Sequence, residues 1–215
     1  MTQISQYSYD AIYTPSHRFY KLGWNKSFSD QRRSVENSKS SLVIIGDSIA
    51  SGFLRYQEVW SLFRKFKALN LGIGGDKCEN VLWRCQHINF PPSVQFTVII
   101  CGVNNIDRDD PYDIAKSLIN IGCSLTQQNE NMKILISSIL PRDKNRDSFR
   151  RYKIIECNNF LKKLCINSSN NINVISIDKN EWLEPNGELN INRYHTDFLH
   201  LAESGYMKLS SSILK

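Results

Sequence analysis

The chain has 215 residues, a formal net charge of +6 and a hydrophobic fraction of 41%. This length fits one compact domain better than two, and no apolar run approaches the roughly 20 residues that a membrane-spanning helix needs. The N-terminus lacks the basic and apolar regions of a secretory signal, which predicts a cytoplasmic protein.

The six cysteines are scattered along the chain, without a Cys-x-x-Cys pair or a histidine at zinc-finger spacing. Several lie inside apolar runs, as free thiols of a core do. The pattern predicts a reducing compartment, no disulfide framework and no structural metal.

Residues 1–40 are polar, with irregularly spaced aromatic residues, and are predicted to be an N-terminal arm that lies extended on the domain or a tether from a preceding one. From residue 41 to 215, short β-rich runs alternate with longer segments of helical spacing. The predicted strands are 42–45, 68–71, 96–101, 133–139 and 173–177. The predicted helices are 49–66, 76–87, 112–127, 148–167 and 202–214. Asp110 before Pro111, and Asp76 after two glycines, are predicted helix N-caps.

Five strands that alternate with helices predict an α/β domain with a parallel sheet covered on both faces and right-handed crossovers. In such folds, sites form where the carboxyl ends of the strands meet the loops that follow. Three of the five predicted strand ends carry glycine beside a potential hydrogen-bond donor or nucleophile, in the stretches 46–48, 72–75 and 102–105.

Ser48, in the stretch IIGDSIASG (residues 44–52), is a candidate nucleophile because it follows a predicted strand directly. A serine nucleophile needs a base, usually histidine. His200 is the best of the four histidines because Asp197 precedes it by three residues, a spacing that lets the carboxylate orient the ring. His195 competes but lacks a carboxylate at that spacing. His17 lies in the arm, and His87 near the end of a helix that faces the wrong rim of the sheet.

Three donors are candidates to stabilise an oxyanion: the backbone N–H of Ser48, the backbone N–H of Gly75 and the side-chain amide of Asn104. Each stretch also has a purely structural interpretation, as a turn or a helix cap. Residues 72–77 are close to a dinucleotide-binding G-x-G-x-x-G motif but have lysine at position 77, so that site is disfavoured. The occurrence of all the pieces at strand ends favours catalysis.

The stretches around Ser48, Gly75, Asn104 and Asp197–His200 resemble, in order, the four sequence blocks of the SGNH or GDSL-type hydrolase family. Isoleucine at position 49 replaces the usual leucine of the first block. The resemblance implies a three-layer α/β/α sandwich of the flavodoxin-like type. It also implies a serine esterase for short acyl esters, often acetyl, that uses no metal or cofactor.

Within the family, four stretches are similar to the catalytic subunits of intracellular platelet-activating-factor acetylhydrolase, and hence to the related esterase domains of LINE-type retrotransposon proteins. They are residues 70–76, 81–84, 140–142 and 198–201. This resemblance implies a small acyl-ester or lipid substrate. The basic balance, the absent signal and the tether-like N-terminus would suit an esterase module of a retrotransposon protein, and a homodimer is a further expectation.

The stretch RDKNRDSFRRYK (residues 142–153) holds six Lys or Arg against two Asp. It is either a solvated surface or a substrate-side contact with an anionic membrane, through Arg142, Lys144, Arg150 and Arg151; nucleic-acid phosphates are a weaker alternative. A second functional hypothesis is therefore a module that binds anionic lipid or nucleic acid, with catalysis secondary.

Overall fold

The computed structural model describes residues 11–215 and contains the predicted five-stranded sheet, with strand order 2-1-3-4-5 and every pairing parallel. The strands are β1 (Leu42–Gly46), β2 (Leu69–Gly72), β3 (Phe96–Ile100), β4 (Lys133–Ser137) and β5 (Ile172–Ile175). This is the order of a flavodoxin-like doubly wound sheet, in which ligands bind beside the carboxyl end of the first strand.

Helices cover both faces of the sheet. The α-helices are α1 (Trp24–Glu36), α2 (Ser48–Gly52), α3 (Gln57–Ser61), α4 (Cys78–Gln86), α5 (Pro111–Gln128), α6 (Phe149–Ile166), α7 (Lys179–Trp182) and α8 (Glu203–Ile213). Helix α5 packs between α4 and α6, whereas α3 packs against α8, as right-handed crossovers on opposite faces require. Within residues 11–215, no helix is both long enough and apolar enough to cross a bilayer.

Strand β1 lies inside the sheet, and all five of its residues are buried. Val43 pairs with Leu69 of β2 on one side and with Thr97 of β3 on the other. A continuous apolar run such as LVII is what a parallel strand needs when helices cover both of its faces. This buried strand fixes the position of the residues that follow it.

The predicted helix over residues 49–66 is interrupted. The chain forms α2, a 3-10 turn (Phe53–Arg55), α3 and a second 3-10 turn (Arg64–Phe66), with an extended backbone at Tyr56. The prediction of one continuous helix was wrong because serine and glycine at 51–52 are weak helix formers, and Phe53, Val59 and Phe63 reach the core from separate short turns.

The predicted N-terminal arm is not extended throughout. Its residues 1–10 lie outside the described residues, but residues 24–36 form helix α1, which buries Trp24, Phe28 and Val35. Gln31 of α1 donates a 3.1 Å hydrogen bond to the carbonyl of Gly72 at the end of β2. Helix α1 therefore packs on the domain beside the edge strand β2.

One predicted helix cap is confirmed and the other was wrong. Asp110 caps α5 by accepting the N–H of Tyr112, with Pro111 in the first turn. Asp76 does not cap α4, which begins at Cys78 after Lys77. The Asp76 carboxylate is fully buried and is used elsewhere, as described below.

Candidate active site

Ser48 stands just beyond the carboxyl end of β1, an interior strand of the sheet, because the chain turns sharply there. A side chain at Gly46 would lie 1.8 Å from the carbonyl oxygen of Ile100 in β3, so only glycine fits there. Asp47 then caps α2 by accepting the N–H of Ile49 at 2.8 Å. Ser48 is the first residue of that helix.

A continuous chain of hydrogen bonds joins Ser48, His200 and Asp197. The Ser48 Oγ lies 2.9 Å from the His200 Nε2, and the His200 Nδ1 lies 2.6 Å from a carboxylate oxygen of Asp197. An ionised carboxylate can only accept, so Nδ1 carries the proton and Nε2 is free to accept the proton of Ser48. This is the tautomer that a general base for serine requires.

The loop at residues 197–200 holds the carboxylate in place. The other oxygen of Asp197 accepts the backbone N–H groups of Leu199 at 3.0 Å and of His200 at 2.9 Å. Partial burial alone would raise the pKa of Asp197, but the hydrogen bond from the His200 ring and the two backbone N–H groups outweigh it and lower the pKa to about 2. Asp197 is therefore ionised at neutral pH.

The other histidines lie outside this arrangement. His17 stacks on Phe19, and His87 stacks on Trp83 at the end of α4. His195 is near the site, but its Nε2 lies 3.0 Å from the hydroxyl of Tyr56, and its backbone N–H donates to the carbonyl of His200. The structure thus brings His200, rather than His195, to Ser48.

Three candidate oxyanion donors lie directly after β1, β2 and β3, at the rim where these strands end. The backbone N–H groups of Ser48 and Gly75 donate no hydrogen bond to the part of the chain that the structure describes. Gly75 has a φ of +77°, a conformation that favours glycine. The side-chain amide of Asn104 donates one hydrogen to the carbonyl of Asp76 at 2.9 Å, which leaves its second hydrogen available.

The adjacent residues Asn104 and Asn105 have different environments. Asn105 is fully buried; its amide donates to Glu79 and Asp109, and its oxygen accepts the N–H of Cys78. Every polar atom of that side chain has a partner, so Asn105 anchors the loop to α4. Asn104 is only partly buried, which leaves it as the residue of the pair that can reach a ligand.

The loop that carries Gly75 is held by the buried carboxylate of Asp76. That carboxylate accepts Arg84 Nε at 2.9 Å, Trp24 Nε1 at 2.8 Å and Arg18 at 3.2 Å. The Arg84 guanidinium also donates to the carbonyls of Leu71 and Gly46, at the ends of β2 and β1. One buried ion pair therefore links the Gly75 loop to the strand that delivers Ser48.

A small cavity of about 20 Å³ lies beneath the site on the side of β3 and β4. Ile49, Val103 and Leu199, the chain neighbours of Ser48, Asn104 and His200, line it together with Asp47 and mostly apolar residues from the ends of β3 and β4. The cavity is small, and its mostly apolar lining suits the alkyl part of a short acyl group.

Asp47 has an unusual environment that the sequence did not indicate. One carboxylate oxygen caps α2, while the other is buried and has no hydrogen-bond partner in residues 11–215. Burial raises the pKa of Asp47 to about 7, against the opposing effect of the Ile49 N–H. Asp47 is therefore largely protonated in mildly acidic solution.

The predicted basic surface at residues 142–153 is mostly paired internally. Arg151 is buried and donates to the carbonyls of Asp143 and Gly187, so its prediction as a surface contact was wrong. Arg150 pairs with Asp107 and Asp143, and Arg142 with Asp143. Lys144 is exposed, with no ion pair to a described residue, and lies 5.9 Å from the centre of the Phe198 ring.

Arg18 and Lys21 lie beside the site, a position that no sequence pattern predicted. Both side chains donate to the carbonyl of Gly74, at 3.3 and 3.2 Å respectively. The contact spans more than 50 residues, so no local spacing reveals it. Arg84 was also missed as a structural residue, although it lies in one of the stretches that carry the family resemblance.

Comparisons with known proteins agree with the predicted family resemblance. A sequence model of the GDSL-like Lipase/Acylhydrolase family matches residues 44–208. The platelet-activating factor acetylhydrolase IB subunit alpha2 of Rattus norvegicus is 29% identical over 178 residues, or 81% of this chain and 74% of that protein.

Two solved structures show the shared fold. A GDSL-like lipase from Bacteroides thetaiotaomicron has a TM-score of 0.73 at 18% identity and covers 89% of this chain and 95% of its own. A catalytic mutant of the acetylxylan esterase Axe2 from Geobacillus stearothermophilus has a TM-score of 0.59 at 15% identity and covers 82% of this chain and 93% of its own.

The protonation of Asp47 predicts a pH-dependent stability. The unfolded chain releases this proton near pH 4, whereas the folded protein holds it until about pH 7. Raising the pH from 5 to 7.5 should therefore lower the free energy of unfolding of the wild type by about 2–3 kcal/mol relative to Asp47→Asn. Urea unfolding at several pH values measures the difference. Asp30→Asn, at an exposed position, is the control, and its free energy of unfolding should change with pH in the same way as that of the wild type. Parallel curves for the wild type and Asp47→Asn would contradict the assignment.

Proposed function

The chain belongs to the GDSL-like lipase/acylhydrolase family, and we propose that it is a serine esterase that hydrolyses short-chain acyl esters, acetyl esters above all. The observation that carries this proposal is the hydrogen-bond chain from Asp197 through His200 to Ser48, with distances of 2.6 and 2.9 Å. In it Ser48 is the nucleophile, His200 the general base and then acid, and Asp197 the residue that orients His200.

The reaction begins when the Ser48 Oγ attacks the ester carbonyl carbon and passes its proton to the His200 Nε2. The tetrahedral intermediate collapses as His200 returns that proton to the leaving alcohol, which yields an acyl-enzyme. Water, deprotonated by His200, then releases the acid and restores Ser48. Asp197, with its lowered pKa, stays ionised and stabilises the imidazolium in both steps.

The negative charge that develops on the carbonyl oxygen needs fixed donors. The N–H groups of Ser48 and Gly75 and the free amide hydrogen of Asn104 supply them. Because the bond from Asn104 to the carbonyl of Asp76 already sets the orientation of that amide, little reorganisation is needed during the reaction.

The cavity beside Ser48 supports the preference for a short acyl group. The cavity is small and mostly apolar, and Ile49, Val103 and Leu199 among its lining residues offer contacts to a short alkyl group. The relationship to an enzyme named platelet-activating factor acetylhydrolase favours the same acyl group and makes a lipid ester a reasonable substrate class. The predictions of a retrotransposon origin, a homodimer, an anionic membrane partner and a cytoplasmic location stay predictions.

Replacing Ser48 or Asn104 tests the assigned roles. We expect Ser48→Ala to abolish hydrolysis of p-nitrophenyl acetate, and Asn104→Ala to lower kcat by roughly 10²–10³-fold with a smaller effect on KM. Ser61→Ala, at an exposed serine of α3, is the matched control and should keep wild-type activity. Circular dichroism checks that each variant is folded. Wild-type activity in a folded Ser48→Ala protein would rule out the proposal.

The cavity predicts a steep dependence on acyl length. Wild-type kcat/KM should be highest for p-nitrophenyl acetate and fall through the butyrate to the hexanoate. Leu199→Ala enlarges the cavity and should raise the ratio of hexanoate to acetate, whereas Leu54→Ala, at an exposed position, should leave that ratio unchanged. A wild-type protein that prefers hexanoate would show that the acyl group does not occupy this cavity.

A further inference from the structure

Two cationic side chains lie on the opposite side of Ser48 from the acyl cavity. The cavity is lined by residues at the ends of β3 and β4, whereas Arg18 and Lys21 contact the loop after β2. Strand β1, which delivers Ser48, lies between β2 and β3 in the sheet. An ester whose acyl group enters the cavity therefore directs its alcohol toward the β2 side.

The two cations converge on one point of the oxyanion loop. A side chain at Gly75 would lie 3.2 Å from a terminal nitrogen of Arg18 and 3.2 Å from the Lys21 Nζ. The carbonyl of Gly74 accepts hydrogen bonds from both cations. A side chain added at Gly74 would lie 4.0 Å from the Ser48 Cβ. The cations are thus within reach of a substrate bound at Ser48.

The segment that carries these cations is fixed to the domain. The backbone N–H of Ser16 donates to the carbonyl of Glu79, and the Asn80 side chain donates to the carbonyl of Ser16. Between the two cations, Phe19 packs edge-on against Trp83 and lies against Trp24. Arg18 and Lys21 are therefore held at the site by contacts on both sides.

Positive charge is in excess at this place. The single carboxylate of Asp76 serves both Arg84 and Arg18, and Lys21 has no carboxylate within ion-pair distance in residues 11–215. Lys21 is exposed, and its side chain donates to the neutral carbonyl of Gly74. Neighbouring cations repel each other, so an anion bound between them would relieve that repulsion and gain charge-assisted hydrogen bonds.

We propose that Arg18 and Lys21 form a binding site for an anionic group, a phosphate or a carboxylate, on the alcohol part of the ester substrate. This inference rests on the proposed esterase function and adds a preference for anionic leaving alcohols. This contact is present both before and during the reaction, so it lowers KM more than it raises kcat.

Three aryl acetates test the site in the full-length protein: phenyl acetate, which is neutral, 4-acetoxybenzoate, which carries a carboxylate, and 4-acetoxyphenyl phosphate. For each anionic ester the readout is its kcat/KM divided by that of phenyl acetate. In Lys21→Gln this ratio should fall roughly five-fold, mainly through KM, as expected for the loss of one partly exposed charge pair. It should fall further in Lys21→Glu and stay at the wild-type value in the control Lys26→Gln.

The two anionic substrates distinguish the sources of the anion. A ratio that falls only for the phosphate ester, or only for the carboxylate ester, assigns the site to that group, and a fall for both assigns it to either. Unchanged ratios in folded Lys21→Gln and Lys21→Glu proteins would overturn the inference. That result is separate from a failure of the esterase proposal, which would appear as hydrolysis of phenyl acetate that survives Ser48→Ala.

Discussion

The buried carboxylate of Asp76 is the interaction on which the site depends. It receives Arg84, Trp24 and Arg18, while Arg84 also holds the ends of β1 and β2. The carbonyl of the same residue receives the amide of Asn104. Removing one partner of a buried ion pair lowers the free energy of unfolding by about 3–5 kcal/mol. The loss of any one of these groups therefore destabilises the arrangement of the others. Strand β1, the loops that carry the candidate donors Gly75 and Asn104, and the segment of residues 18–24 thereby share one anchor.

The parallel sheet imposes the division of the site into two sides. Because the carboxyl ends of all five strands meet at one rim, residues far apart in sequence are brought to Ser48 from neighbouring loops. The loop after β2 carries Gly75 and is contacted by Arg18 and Lys21 of the N-terminal segment, and the loop after β3 carries Asn104. The last loop, before α8, supplies Asp197 and His200. The small cavity and the two cations therefore lie on opposite sides of Ser48, which is the arrangement that the proposed orientation of a bound ester requires.

The sequence predicted what local patterns determine. Apolar runs of strand length gave all five strands, and the spacing of Asp197 and His200 indicated a pair that the structure places together beside Ser48. It did not predict the break in the helix after Ser48 or the helix at residues 24–36, because tertiary packing decides both. The sequence predicted Asp76 as a helix cap because no local pattern reveals its burial, which depends on contacts such as the one with Trp24, 52 residues away. The positions of Arg18 and Lys21 depend on contacts of the same kind.

A fluorophosphonate ester tests the identity of the nucleophile without any assumption about the substrate, because it modifies only a serine activated by a base and an oxyanion site. After labelling of the full-length protein and digestion with trypsin, mass spectrometry should find the phosphonate on Ser48 within the peptide of residues 40–55. His200→Gln should react far more slowly. Labelling of a different serine, or hydrolysis of phenyl acetate by a protein that takes up no label, would contradict the assignment of Ser48, His200 and Asp197.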